Sequence, residues 1–326
     1  MSTSNDGGAP CAVISLNPAN AVDGYGIRSI VELMAEVFVE PKWIIPGIIP
    51  EGATLLVAKP KVGKSFMALD IALAVASGGM VLGRITNRRD VLYLSLEDGE
   101  RRLQQRLAVL RSSDCLPTNL YYRTEWPTFD RGGVEQLVEW LEYNPKVGLV
   151  IFDTLAKVKS RKVAKNESAY DIDYRSVEPF KMLVEQMGVS VIVIHHSRKS
   201  PSEDDPFDVI SGTTGLAGVF DTVIVLCQTS KDKVCMYTRG RDTDASDIAL
   251  RRHDSGAWEY LGTSEEVGVM EIRNQVLAVM EPGEGYMLKD LCELTERKKS
   301  GLCRLVGRMV EDGCLCRRGK GVYVKP

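Results

Sequence analysis

Residues 51–65 read Glu-Gly-Ala-Thr-Leu-Leu-Val-Ala-Lys-Pro-Lys-Val-Gly-Lys-Ser, an apolar strand pattern that runs straight into a phosphate-binding loop. Leu55, Leu56 and Val57 read as a buried strand, residues 58–63 as the loop, and residues 66–76 as an apolar helix that starts where the loop ends. The phosphates of a nucleotide fit at that helix N-terminus, where successive backbone N–H groups and the positive end of the helix dipole face the anion. On this reading the nucleotide-binding residues are Ala58, Lys59, Pro60, Lys61, Val62, Gly63, Lys64, Ser65 and Phe66. Lys64 adds a point charge for the terminal phosphates, and Ser65 supplies a hydroxyl to Mg2+. The pattern is GxxxxGKS with one departure. Ala58 stands where the first glycine is expected, and its methyl group requires a negative φ. A Gly-Lys-Ser turn that binds nothing is the alternative, and the strand-loop-helix context disfavours it.

Around this motif the chain has 326 residues, 44% of them apolar and 26% charged, the balance of a folded protein with a substantial core. Such a length allows an α/β domain of ordinary size and a small second one. No run of 18 apolar residues occurs, and residues 1–18 lack a basic start and an apolar middle. Neither a membrane span nor a signal peptide is indicated, and a cytoplasmic location is expected. Eight cysteines are scattered along the chain, which suits free thiols in a reducing compartment. Cys292, Cys303, Cys314 and Cys316 contain no CxxC pair, so packing of small apolar side chains is favoured over zinc.

Residues 1–22 are rich in Ser, Asn, Gly, Ala and Pro and read as a flexible lead. Apolar residues at helical spacing over 27–38 then predict a short amphipathic helix. From 43 to about 261, apolar strands alternate with helices, as in a parallel sheet built from βαβ crossovers. Strands are expected at 54–57, 91–96, 120–123, 148–152, 190–194 and 222–226, with helices at 65–77, 100–111, 134–143 and 176–187. After Lys231 short strands at 233–239, 248–252 and 258–261 suggest an antiparallel edge. Residues 267–326 read as a separate unit with helices at 270–280, 288–294 and 298–312 and a hairpin of 314–318 with 322–325. Three helices followed by a two-stranded wing form a winged helix-turn-helix. This segment carries 11 Lys or Arg against 8 Asp or Glu, in a chain whose net charge is −3. The basic part is the tail.

A phosphate-binding loop needs acidic partners, and two stand at strand ends. Asp153 closes the run 147–152 at the carboxyl edge of the sheet, where ligands of open α/β sheets lie, and would bind Mg2+ with Ser65. A cap on the next segment is the plainer use of it. Glu97, in Ser-Leu-Glu-Asp-Gly-Glu, would orient and deprotonate the attacking water, with Asp98 as its understudy. Asp98 and Glu100 also suit the first turn of a helix, where its dipole favours acids. His195 and His196 end a third strand, where a neutral polar group can sense a terminal phosphate, although a buried, satisfied pair remains open.

The ordered series of Trp43, Pro50-Glu51-Gly52, the loop, Ser-Leu-Glu-Asp, Ile-Phe-Asp-Thr, Ile-His-His-Ser, residues 210–216, Phe220-Asp221-Thr222 and Thr238-Arg239-Gly240-Arg241-Asp242 resembles the RepA-type hexameric replicative helicases. These are RecA-fold ATPases of plasmids and phages, and the resemblance covers residues 43–261. It implies a RecA-like core at 41–262 between the lead of 1–40 and the winged helix of 267–326, which the family core lacks. It also implies ATP between the subunits of a ring, most simply a hexamer. Lys64, Ser65, Glu97 and Asp153 would then serve one subunit's nucleotide, while Arg241, ahead of Arg239, reaches the neighbour's phosphates. An ion pair of Arg241 with Asp242 or Asp244 is the alternative.

RecA-like rings hold single-stranded DNA on two loops. The first would present Lys157, Lys159, Arg161, Lys162 and Lys165, which track a phosphate backbone unless they are merely a solvated surface. The second opens with Arg198 and Lys199. The winged helix would bind double-stranded DNA or a replication protein through Lys298, Lys299, Arg304, Arg308, Arg317, Arg318 and Lys320. The resulting expectation is an ATP-driven motor on single-stranded DNA. Its rivals are an ATP-switched DNA-binding regulator or helicase loader and, further off, a small-molecule P-loop kinase.

Overall fold

The computed structural model describes residues 28–37, 42–111, 116–160, 169–197, 205–210 and 214–326. They fall into two compact units that part between Pro41 and Lys42. In the first, helix α1 (Ile30–Ala35) is closed by a capping box between Ser29 and Glu32, and none of its residues is buried. It is shorter than the predicted 27–38, whose ends lie outside the described residues.

The second unit opens with a small hairpin, β1 (Trp43–Ile45) and β2 (Ile49–Pro50), and then β3 (Ala53–Ala58), every residue of which is buried. Helix α2 (Lys64–Ser77) follows the loop, apolar almost all round because it is enclosed almost all round. Gly78 ends it in the left-handed conformation. After the hairpin of β4 (Met80–Val81) and β5 (Arg84–Ile85) come β6 (Asp90–Ser95), α3 (Glu100–Leu110), β7 (Leu120–Arg123), α4 (Gly133–Tyr143) and β8 (Val147–Asp153). The chain continues through α5 (Leu155–Val158), α6 (Ala169–Met187), β9 (Ser190–His196), α7 (Thr214–Val219) and β10 (Thr222–Gln228). Strands β11 (Lys233–Gly240), β12 (Ser246–Arg252) and β13 (Trp258–Thr263) complete the large sheet.

That sheet has nine strands in the order β13-β12-β11-β10-β3-β9-β8-β6-β7. From β10 to β7 neighbouring strands run parallel, and β11, β12 and β13 are added antiparallel. Alternation along each strand sorts the side chains onto two faces. Leu56, Tyr93, Ile151 and Ile194 meet α2 and α3 on one face, while Leu55, Val57, Phe152 and Val193 meet α4, α6 and α7 on the other. Phe152 and Phe180 pack edge to face at 4.9 Å in the second layer. The expected α/β class holds: a RecA-like core with a mostly parallel sheet between two helical layers.

Two helices begin earlier than their apolar spacing predicts. Helix α6 starts at Ala169 rather than 176, and it carries Pro179 inside its span. From Tyr170 on the added stretch alternates apolar and polar residues, which gives no helical period. Helix α8 (Ser264–Val279) starts six residues before the expected 270, because Thr263 and Glu266 form a capping box at the end of β13. Its N-terminal half lies against the sheet: Ser264 Oγ is 2.9 Å from Cys235 Sγ, and Glu271 pairs with Lys233.

Beyond α8 lie β14 (Gly285–Met287), α9 (Leu288–Leu294), α10 (Lys299–Glu311), β15 (Cys316–Arg317) and β16 (Val322–Val324). Val276, Leu291, Leu305, Val306 and Met309 form a separate hydrophobic cluster there. The expected hairpin is present and gains β14 as a third strand, in the order β14-β16-β15.

Candidate nucleotide site

Ala58 is the last residue of β3, paired with Leu226 on one side and His196 on the other, and it is not among the residues with positive φ. The missing glycine is therefore not needed. Left-handed backbone falls instead on Lys61 (φ 68°) and Gly63 (φ 112°). At Gly63 a Cβ would also lie 2.9 Å from the Trp258 ring and 3.0 Å from the Arg252 guanidinium, so packing as well as conformation requires glycine there. Arg252 Nη1 donates to the carbonyls of Lys61 and Val62, both at 3.4 Å, and thus braces the loop from β12.

Lys64 is buried and folds back over the loop, donating to the carbonyls of Ala58 at 2.7 Å and Lys59 at 2.9 Å. Burial pulls its ammonium down to a pKa of about 8, against the pull of the Asp153 and Glu97 carboxylates. A cavity of about 410 Å3 opens beside the loop, lined by Lys59, Pro60, Ser197 and Gln228 among others.

Strands β9, β8 and β6 lie in that order beside β3, so their carboxyl ends bring the other candidates to the same edge. Asp153 is buried, and Tyr93 Oη donates to its Oδ2 at 2.8 Å. Its Oδ1 has no hydrogen-bond partner. Burial holds the carboxyl above the usual carboxylate range, while the Tyr93 and Ser65 hydroxyls beside it pull down. A bare buried carboxylate oxygen near a serine hydroxyl fits a hard cation with oxygen ligands, and Mg2+ would be held by Ser65 and Asp153. When bound it supplies positive charge to the phosphate oxygens.

Glu97 lies two residues beyond β6. Its carboxylate accepts from Thr154 Oγ1 at 3.0 Å, and His196 Nε2 lies 3.3 Å from each of its oxygens. It stays about one-third exposed. Asp98 is instead buried in ion pairs with Arg102 at 2.8 Å and with Arg106, and its role as understudy is corrected to that of an anchor for α3. Arg106 also stacks over the Phe66 ring at 5.1 Å. His195 lies next to Val57 in the register, one residue before the histidine that meets Glu97.

Arg239 and Arg241 stand apart from these groups. Gly240 pairs with Thr222 and Thr222 with Thr54, whereas the loop begins beyond Ala58 at the other end of the same strand. Four residues of strand span about 13 Å. Arg239 stacks on Phe207 at 4.1 Å and pairs with Asp205. Arg241 donates to the Gly218 carbonyl at 3.0 Å and lies 3.6 Å from Asp221, so its acidic partner is Asp221 and not the expected Asp242 or Asp244.

Of the expected strand-binding cations, Lys157 is exposed on α5 and Lys159 caps that helix, just past the end of β8. Arg161, Lys162, Lys165, Arg198 and Lys199 lie outside the described residues. Sequence reasoning missed Tyr93, Thr154, Arg106, Arg252 and Trp258. Tyr93 and Trp258 read as ordinary apolar strand positions, and Arg252 is brought to the loop only by the β12–β13 hairpin.

No helix among the described residues is long and apolar enough to cross a membrane. A comparison with curated proteins gives no match. The AAA domain family AAA_25 matches residues 29–202, which hold the phosphate-binding loop, Glu97, Asp153 and both histidines. Since that match spans more than half of the chain and covers the loop with its acidic partners, the protein belongs to the AAA domain family of P-loop ATPases.

Proposed function

We propose that the protein is an ATP-driven, ring-forming motor that moves on single-stranded DNA, of the RepA-type replicative helicase kind, and most simply a hexamer. The observation that carries this reading is the division of the hydrolytic groups between two ends of one sheet. Lys64, Ser65, Asp153 and the Glu97–His196 pair share the carboxyl edge, while Arg239 and Arg241 lie a strand's length away. An arginine so placed serves no phosphate of its own chain, and a head-to-tail neighbour gives it one to serve.

In this reading Lys64 exchanges the Ala58 and Lys59 carbonyls for the terminal phosphates. Ser65 and Asp153 hold the metal's place, and Glu97 takes the proton of the attacking water. His196 touches Glu97 and also sits at the head of the second loop, so it links the water site to the stretch that begins with Arg198 and Lys199. Lys157 and Lys159 follow the Asp153 strand directly. Both DNA loops would thus spring from strands that end at the hydrolytic groups.

The test is ATP hydrolysis with and without a single strand, together with unwinding of a tailed duplex. Stimulated hydrolysis with unwinding supports the motor. Hydrolysis indifferent to DNA, without unwinding, turns the reading toward a regulator or helicase loader that uses ATP as an assembly switch.

A further inference from the structure

We infer that the C-terminal unit is a winged helix that binds duplex DNA, with α10 in the major groove and the β15–β16 hairpin against the phosphate backbone. The element order α8-β14-α9-α10-β15-β16, with a sheet ordered β14-β16-β15, is that of a helix-turn-helix carrying a wing. The inference stands apart from the motor reading, because it uses no residue of the nucleotide site.

The cations of this unit divide cleanly. Arg273 pairs with Asp312, Lys289 with Glu293, Arg297 donates to Gln275, and Lys325 donates to the Leu277 carbonyl. Lys298, Lys299, Arg304 and Arg308 on α10 and its leading turn, with Arg317, Arg318 and Lys320 on the hairpin, are all exposed, and their side chains make no ion pair or hydrogen bond among the described residues. The acids that pair within the unit, Asp312 and Glu293, take cations from elsewhere in it. What remains is one continuous stretch of chain, 298–320, that ends in unneutralised positive charge at both extremities, as a polyanion requires.

The shape of α10 agrees with this. Leu302, Leu305, Val306 and Met309 are buried against the unit's own core. The opposite face carries Ser300, Arg304 and Gly307, with Arg308 beside them. A Cβ on Gly301 or Gly307 would meet nothing within 4 Å, so neither glycine serves the packing of the unit itself. Their bareness lets the helix backbone approach a second surface. A 13-residue helix is about 20 Å long and fits a major groove about 12 Å wide. Gly319 and Gly321, both left-handed, turn the hairpin tightly around Lys320.

A groove of about 670 Å3 between α8 and α10, floored by Val269, Ile272 and Leu305, is the place where an acidic peptide would lie instead. None of the hairpin cations lines it, so such a peptide would leave Arg317, Arg318 and Lys320 unused. Duplex DNA uses both sets.

The experiment is fluorescence anisotropy of a labelled 24-base-pair random duplex with the full-length protein, without nucleotide, over a range of salt. Binding read in this way survives even if the protein proves to be no motor. Tight binding is expected, with log K falling as log salt rises. Both R304E/R308E and R317E/K320E should weaken it at least tenfold and flatten the salt slope by about 0.9 for each phosphate no longer neutralised. K289E, on an engaged cation outside the surface, should leave the affinity unchanged. Failure of the wild-type protein to bind the duplex overturns the inference, as does unchanged affinity in both charge-reversed variants.

Discussion

The phenol of Tyr93 and the carboxylate of Asp153 form a buried hydrogen bond of 2.8 Å that leaves the other carboxylate oxygen bare. One oxygen is tethered to the sheet and one is offered to a ligand, which fixes the direction in which Asp153 can serve a metal.

Replacing Tyr93 by Phe should therefore cost about 1–3 kcal/mol, since it strands a second buried oxygen. The Asp153 carboxyl, already above its unfolded value, should rise further. A raised carboxyl makes the folded state bind more protons just above the ordinary carboxylate range, so stability falls as pH climbs through that window, and more steeply in the variant. Thermal melts at several pH values and the Mg2+ dependence of hydrolysis test this. An unchanged melting temperature with unchanged Mg2+ dependence would remove Tyr93 from the site.

Nucleotide binding should take up a proton. In the free protein the Lys64 ammonium has a pKa of about 8, below its ordinary 10.5, and triphosphate oxygens draw it back up. Between those two values the complex holds the proton more fully than the free protein does. Calorimetry at about pH 9, between the two, in two buffers of different ionisation enthalpy should reveal the uptake. Lys64→Ala should bind no ATP, and retained affinity there would undo the phosphate-loop assignment.

Glu97→Gln should keep ATP affinity while lowering turnover by about 10²–10⁴, the range supplied by a positioned general base. The amide can still accept from Thr154, so the pocket keeps its shape. Normal turnover would move the base to another residue.

Gly63→Ala should be destabilised by about 1–2 kcal/mol for the left-handed backbone alone, with the clash on Trp258 and Arg252 added to it. ATP binding should fall with it. Denaturant titration and nucleotide binding on the same preparation check both halves, and a variant as stable as the parent would show that the β12–β13 brace is slack.

Arg241→Ala and Lys64→Ala should each be inactive alone and regain hydrolysis when mixed. In the proposed ring, mixing would create interfaces that join the intact loop of one subunit to the intact arginine of the next, and such an arginine is worth about 10³–10⁵ in rate. Absence of any recovery argues against a contribution from the neighbour.

The fold is legible in the sequence because its signals are local. β3, the loop and α2 can be read from one continuous run, residues 51–77, and Glu97, Asp153 and His196 from the ends of apolar runs. Neighbouring strands bring those ends together, which no local pattern states. Asp98 takes the second of its two readings, at the head of α3, because Arg102 and Arg106, one and two turns along that helix, claim it. Tyr93 is invisible because its ring satisfies the apolar pattern of β6 while its hydroxyl serves the site. The early start of α6 gives no signal because residues 170–175 alternate apolar and polar, and that of α8 because its first residues are Ser-Glu-Glu.

Strand β13 has one end at the Trp258 ring that flanks Gly63 and the other at Thr263, the cap of α8. It is a strand of six residues, about 20 Å long, whose register with β12 shifts between Tyr260 and Gly262. The ring that limits the room beside Gly63 and the residue that caps α8 thus belong to one short strand at the margin of the large sheet.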